Sequence, residues 1–344
     1  LVVKLASPFG IGDKQNMSSL VNVAIHASQS PENVRRDLLE SLRTRRVNHK
    51  FHYDSIKQTN QWLALHQACS PSRDDADCAA AYDRAFAAAA KQNSAAPVHV
   101  IGLGCGGGQK DTRLLKHLRA QGREVFYTPS DVSVAMTLVA RQAALLVVTE
   151  ENCFPLVWDL ISVGNPAAVL AAHHAPQAAR LFTFFGMIPN FEPEEILPKL
   201  SALTRPEDML LFSANLAPGP DYAAGMKKIL PQYDNQLTRE WLLTFLFDLG
   251  VERGDGELRF TIEMNPAGGG LKRVVARFHF GRTREFAAEG ERFCFAGGDT
   301  IQLFFSYRYT PELVRTTLAA HELEVLDEWI TGSGEEGVFL CRRA

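Results

Sequence analysis

The segment from Val98 to Lys110 reads Val-His-Val-Ile-Gly-Leu-Gly-Cys-Gly-Gly-Gly-Gln-Lys, an apolar run that enters a glycine-rich turn. Glycine lets a backbone approach a ligand closely and takes positive φ at no steric cost. Such a turn after a buried strand lies at the carboxyl edge of the sheet, where open α/β folds bind ligands. Gly102, Gly104 and Gly106 therefore suit a dinucleotide or S-adenosylmethionine alike, and a purely structural tight turn is the plainer reading. Asp131 sits just beyond the next strand, where a carboxylate can accept both hydroxyls of a ribose; it also precedes Ser133 at the start of a helix, as an N-cap does. Asp159, after Trp158, is a candidate acceptor for an adenine amino group or an ordinary surface carboxylate.

Further along, Asn190 follows the fourth strand at the same edge. Its amide oxygen can accept from a substrate amino group or bond its own loop. Tyr53 and Tyr233 offer a hydroxyl and a ring face to a carboxylate or ammonium, although amphipathic packing is the usual role of such tyrosines. The adjacent His173 and His174 point in different directions and have no carboxylate partner at a ligand spacing, so we expect no metal there. Ser306 has no histidine and aspartate arranged for a hydrolase.

These residues need a scaffold, and the apolar periodicity supplies one. Strands are expected at 98–103, 125–127, 156–158, 181–185 and 209–213, with helices at 112–121, 133–145 and 192–203 between them. Strand and helix in alternation imply a parallel sheet, doubly wound. Helices at 31–45 and 74–92 precede it. After a helix at 238–249, the partly alternating strands 258–264, 274–280, 293–295 and 301–309 read as an antiparallel sheet. A helix at 311–320 and strands at 324–329 and 338–342 then return to the first sheet. The expected fold is α/β, a Rossmann-like doubly wound core (residues 75–222 and 310–344) with a smaller inserted α+β substrate-binding domain (15–74 and 223–309).

Composition narrows the function. The chain has 344 residues, is 46% hydrophobic and 22% charged, and carries a net charge of −3. That is a globular composition with no basic excess for nucleic acid. No apolar run reaches the length of a membrane helix. The six cysteines are scattered without a CxxC pair, which suggests free thiols in a reducing cytoplasm. The segment from Leu1 to Gly10 lacks a typical signal-peptide layout, and with no Met at position 1 the presence of the true N-terminus is left open.

Taken in order, the motifs resemble those of the histidine-specific S-adenosylmethionine-dependent methyltransferase family. Its best-known members make the trimethylated histidine of ergothioneine biosynthesis, and fungal members methylate dimethylallyltryptophan. The likeness runs from about residue 34 onward. It rests on Leu103-Gly104-Cys105-Gly106 with Lys110 and Thr112-Arg113-Leu114-Leu115, on Ser130-Asp131-Val132-Ser133, on Asp159, and on Phe185 to Asn190. Upstream it continues in Phe51-His52-Tyr53-Asp54 and Pro71-Ser72-Arg73; downstream, in Tyr233-Asp234-Asn235, Thr238 and the strand from Ile301 to Tyr309. The resemblance implies S-adenosyl-L-methionine as cofactor, with Gly102, Gly104, Gly106, Lys110, Asp131 and Asp159 around it. Tyr53, Asn190, Tyr233, Thr238, Phe304 and Ser306 are implied around the substrate.

Three departures bear on that expectation. Phe304 stands where the family has an acid that recognises the histidine ring. Cys69 and Ser70 stand where two tyrosines precede the Pro-x-Arg element. Gly102 replaces the glutamate that commonly opens the glycine loop. A phenyl ring in place of a carboxylate favours a less polar side chain. We therefore expect N-methylation of a small amine or amino acid other than histidine, by a cytoplasmic monomer or weak dimer that binds neither nucleic acid nor membrane. Methyl transfer is chiefly a positioning task, and no residue is singled out as catalytic. The rivals are a cofactor-binding protein of the same fold without turnover and a nicotinamide-dependent oxidoreductase.

Overall fold

β2 (Val98–Leu103) is buried at every position because it lies in the middle of a sheet covered on both faces. Val98 and Val100 point into one core layer, Ile101 and Leu103 into the other. This continuous apolar run is how a central parallel strand reads. The computed structural model that shows it describes residues 20–69, 75–92, 97–173, 175 and 177–344. Ser70, Pro71-Ser72-Arg73, His174 and the segment Leu1 to Gly10 lie outside the described residues, as does the side chain of Cys69.

Among the described residues the sheet has eight strands in the order β1-β4-β3-β2-β5-β6-β13-β12. They are β1 (Ala24–Ile25), β4 (Leu156–Val157), β3 (Val125–Asp131), β2, β5 (Ala179–Phe185), β6 (Met209–Asn215), β13 (Glu336–Arg343) and β12 (Leu323–Ile330). The six from β1 to β6 pair in parallel, while β13 is antiparallel to both β6 and β12. The fold is a doubly wound, Rossmann-like α/β sheet. Strand order reverses at β2, which has β3 on one side and β5 on the other. A crevice opens beyond the carboxyl ends at such a reversal.

In chain order the helices are α1 (Pro31–Thr44), α2 (Ile56–Cys69), α3 (Ala76–Gln92), α4 (Gln109–Ala120), α5 (Val134–Ala144) and α6 (Pro166–Ala171). They continue with α7 (Pro193–Leu203), α8 (Tyr222–Tyr233), α9 (Gln236–Asp248) and α10 (Pro311–Ala319). Buried residues of α3, α4 and α5 cover one face of the large sheet; those of α6, α7 and α10 cover the other.

A second sheet, β11-β8-β7, is antiparallel, built from β7 (Gly256–Met264), β8 (Lys272–Phe280) and β11 (Thr300–Arg308). A hairpin of β9 (Arg284–Ala288) and β10 (Glu291–Phe295) lies beside it. Phe278, Phe280, Phe295 and Phe304 from these strands share a core with Leu42 of α1, Phe51, and Trp241 and Phe245 of α9. The pairing of β11 with β8 shifts between Gln302 and Phe304, a bulge that leaves one extra residue on β11.

The structure departs from the expected elements in places. β3 continues past Tyr127 to Asp131, through Pro129. On its β4 side, Pro129 falls in the gap between the Tyr127–Cys153 bridge and the Ser130–Leu156 pair, where a missing N–H does least harm. α2, α6 and α8 are absent from the sequence reading. The first turns of α2, Ile56-Lys57-Gln58-Thr59-Asn60, are mostly polar, and α8 contains Pro231, a poor helix former.

Candidate functional site

One cavity of about 1180 Å³ opens at the carboxyl edge where strand order reverses. That is room for more than one small ligand. Its floor is the turn from β2 into α4. Gly104, Gly106 and Gly108 all hold positive φ, at 68°, 51° and 71°. A side chain on Gly104 would run into Met187, and one on Gly106 would sit 3.1 Å from the Trp62 ring. The loop thus presents bare backbone to the cavity, the form that a close-lying adenosine ligand requires.

Asp131 ends β3 beside this loop. Its Oδ2 accepts from the Gly106 N–H at 3.1 Å, and its Oδ1 from the Ser133 N–H at 3.0 Å. Ser133 itself is the cap of α5, accepting from Met136 N at 3.3 Å. Burial pushes the Asp131 carboxyl up to about 6, against the opposing pull of backbone N–H groups from Ser133, Gly106 and Val132. Asp159 lines the same cavity and is buried. Its oxygens accept from Ile161 N, Ser162 N and Ser162 Oγ, and Lys50 Nζ lies 3.7 Å away. Its carboxylate therefore also organises the turn after β4.

Lys110 reaches the cavity from the first turn of α4, but its ammonium is tied down. Nζ donates to Tyr82 Oη at 2.5 Å and to Glu336 Oε1 at 3.1 Å, and Tyr82 donates to the same carboxylate. Burial works against ionisation of Glu336, yet Lys110 and the Tyr82 hydroxyl hold its carboxyl below the usual range. Gly102 lies one step back, and it is Asp111, not Gly102, that lines the cavity.

The opposite wall is aromatic. The Asn190 side chain lies beside the Tyr53 hydroxyl, and the Tyr53 ring lies 5.5 Å from Trp241 and 6.1 Å from Trp62. Burial, then the nearby Asp131 charge, raises the Tyr53 phenol, so it stays protonated. Phe304 is 6% exposed, with its ring 5.6 Å from Trp241 and 5.1 Å from His49. His49 is half-buried as a residue, but both its ring nitrogens are buried without a partner. Burial, reinforced by His52, Arg273 and Arg46, lowers it to about 3, so the ring is neutral.

Ser306 Oγ lies 2.8 Å from the Tyr233 hydroxyl, which also accepts from Arg308 Nε at 3.0 Å. Thr238 is fixed by its N–H and hydroxyl to the Asn235 side chain, both at 2.9 Å. Tyr53, Asn190, Tyr233, Thr238, Phe304 and Ser306 thus face one cavity together with the glycine loop.

The sequence reading did not single out Asp111, Trp62, Trp241, His49 or Arg308, all of which line this cavity. Arg308 left a trace, two residues beyond Ser306 on the same strand face. Trp62 left none, because its helix went unseen. His173 lies beyond the end of α6, its carbonyl accepting from the Thr128 hydroxyl and its N–H donating to Leu170 O. No cluster of three or more metal-ligating side chains is present among the described residues. No described helix is long and apolar enough to cross a membrane.

A family model described as histidine-specific, S-adenosylmethionine-dependent methyltransferase matches residues 34–343. No curated protein sequence matches the chain. Among solved structures, the magnesium protoporphyrin IX methyltransferase of Synechocystis PCC 6803 with bound S-adenosylhomocysteine is similar at a TM-score of 0.47 and 12% identity, covering 86% of this chain and 98% of that one. The mitomycin 7-O-methyltransferase MmcR is similar at a TM-score of 0.47 and 14% identity, with 92% and 70% covered. A sugar N-methyltransferase from a Streptoalloteichus species gives a TM-score of 0.39 and 15% identity, with 82% and 93% covered.

Proposed function

The chain belongs to the histidine-specific, S-adenosylmethionine-dependent methyltransferase family, and from that premise we propose that it methylates the nitrogen of a small amine or amino acid with a side chain less polar than imidazole. The carrying observation is Phe304, in the cavity wall between Trp241 and His49. A carboxylate there would be left unpaired by a hydrocarbon ligand and so select against it; a phenyl ring carries no such penalty.

S-adenosylmethionine, when bound, supplies an electrophilic methyl group. The glycine loop fits such a group because its backbone is bare at Gly104 and Gly106, and Asp131 beside it can accept ribose hydroxyls. Asp159, further along the same edge, is the candidate for the adenine amino group. The remaining task is to present a neutral amine in line with that methyl, which is a matter of position. Tyr53 and Asn190 form one polar pair for the amine. Tyr233, held by Ser306 and Arg308, forms a second for a carboxylate, with the Arg308 guanidinium adding charge. We assign residues 15–74 and 223–309 to the substrate-binding part and 75–222 with 310–344 to the cofactor-binding core.

The test is a labelled methyl-transfer assay comparing histidine with aromatic and aliphatic amino acids and amines. The natural protein is expected to prefer a less polar acceptor, and Phe304→Glu to shift the preference toward histidine. Histidine as the best natural acceptor by a wide margin would overturn the substrate reading.

A further inference from the structure

Gly102 stands where the family commonly has a glutamate, and the structure shows what fills the vacated space. A β-carbon built on Gly102 would collide with the Oδ2 of Asp111, and would also lie 3.3 Å from the Tyr127 hydroxyl. Asp111 comes from the first turn of α4, not from β2. Its carboxylate reaches back over the strand end and sits where a side chain at 102 would begin.

The Asp111 carboxylate is 3% exposed and lines the cavity with Gly104 and Gly106. Tyr127 donates to its Oδ2 at 2.7 Å and Thr183 to its Oδ1 at 2.8 Å. Both donors are neutral hydroxyls, and among the described residues no ion pair involves it. Lys110, its neighbour in sequence, spends its ammonium on Tyr82 and Glu336. A buried carboxylate without a directly bonded cation is costly: burial raises its pKa to about 6, although the Tyr127 and Thr183 hydroxyls and the more distant Lys110 charge pull the other way. A directly bonded cation has a natural source in the cofactor class already established. S-adenosylmethionine carries a sulfonium and an α-ammonium, and only the ammonium has N–H groups to donate to a carboxylate.

We infer that Asp111 is the cofactor-anchoring carboxylate of this chain, moved from the strand end to the helix start, and that it holds the α-ammonium of the methionyl part. Gly102 is then the complementary half of the exchange. It is a glycine because the relocated carboxylate occupies its side-chain space. Tyr127 and Thr183 position the carboxylate by holding one oxygen each.

The inference rests on the cofactor and not on the acceptor proposed above, so its test omits any acceptor. Calorimetric affinities would be measured for S-adenosylhomocysteine, which has the α-ammonium, and for 5′-methylthioadenosine, which lacks the amino-acid part. Asp111→Asn keeps the shape and removes the charge. It is expected to weaken the first ligand by roughly tenfold or more, the scale of a lost charge-assisted hydrogen bond, and to leave the second within about twofold. Asp111→Ala should show the same split. The double variant Gly102→Asp with Asp111→Ala puts a carboxylate back at the strand end and is expected to recover affinity for S-adenosylhomocysteine. Equal loss of both ligands in Asp111→Asn would make Asp111 a structural tie only, and unchanged binding of both would remove it from the site; either overturns the inference.

Discussion

Asp131 and Asp111 both titrate near 6 because burial disfavours their charged forms. In the free protein each takes up a proton as the pH falls through that value. A ribose hydroxyl or an ammonium is best accepted by the charged form, so affinity should be flat above pH 6 and fall below it. The slope is up to about tenfold per pH unit for each carboxylate that contacts the ligand. Methylthioadenosine should report Asp131 alone, and S-adenosylhomocysteine both, with the steeper dependence seen by titration between pH 5 and 8. Asp131→Ala should weaken either ligand by about 1 to 3 kcal/mol, and an unchanged affinity would take Asp131 out of the site. His49 and His52 behave differently. Burial lowers them to about 3 and about 4, from 6.5 in the unfolded chain. Above 6.5 they are neutral in both states and contribute nothing pH-dependent. Below it the unfolded chain gains protons that the native protein refuses, so stability is lost as the pH drops. The two aspartates oppose this, since the native state binds protons there first. Comparison with His49→Phe separates the effects: the natural protein should lose stability relative to the variant by about 1.4 kcal/mol per pH unit below 6.5, read by denaturant unfolding.

At the scale of elements, the parallel strands were legible because burial on both faces leaves an unbroken apolar run, as in Val98 to Leu103. The glycine turn was legible for its composition. What stayed hidden depended on contacts distant in sequence. Trp62 rests against Gly106 from a helix whose first turns are polar, and Asp111 meets Gly102 only once α4 has turned back over β2. The bulge in β11 is another such case. Ile301 pairs with Phe278 and Phe304 with Ala276, so these residues, three apart, share a face; strict alternation from Ile301 would instead have turned Phe304 and Ser306 away. α2 is also tied to the cofactor side, since Thr59 Oγ1 lies 3.2 Å from Ser133 Oγ, the atom that caps α5. Ser133→Ala should cost about 1 kcal/mol of stability through the lost cap, measured by denaturant unfolding, while the backbone bond from residue 133 to Asp131 survives.

For the whole molecule, a ligand lodged in the cavity should stabilise the fold by mass action. S-adenosylhomocysteine at about a hundred times its dissociation constant should add about 2.7 kcal/mol and raise the melting temperature, and NAD should not; a shift with NAD alone would contradict the cofactor assignment. The large sheet is completed by a strand that follows the antiparallel sheet in the chain. β13 inserts between β6 and β12 after the whole antiparallel sheet has been made, and it carries Glu336, the carboxylate that pins Lys110 beside the glycine loop. A chain still on the ribosome with β13 inside the exit tunnel has its glycine turn but not the anchor of Lys110. Domains tend to fold as they emerge, N-terminal portion first. Here β13 must instead find its place between one strand made long before and another made just ahead of it. A nascent chain would be expected to bind cofactor poorly until that strand docks, which makes the emergence of β13 the moment at which a chaperone would have most to protect.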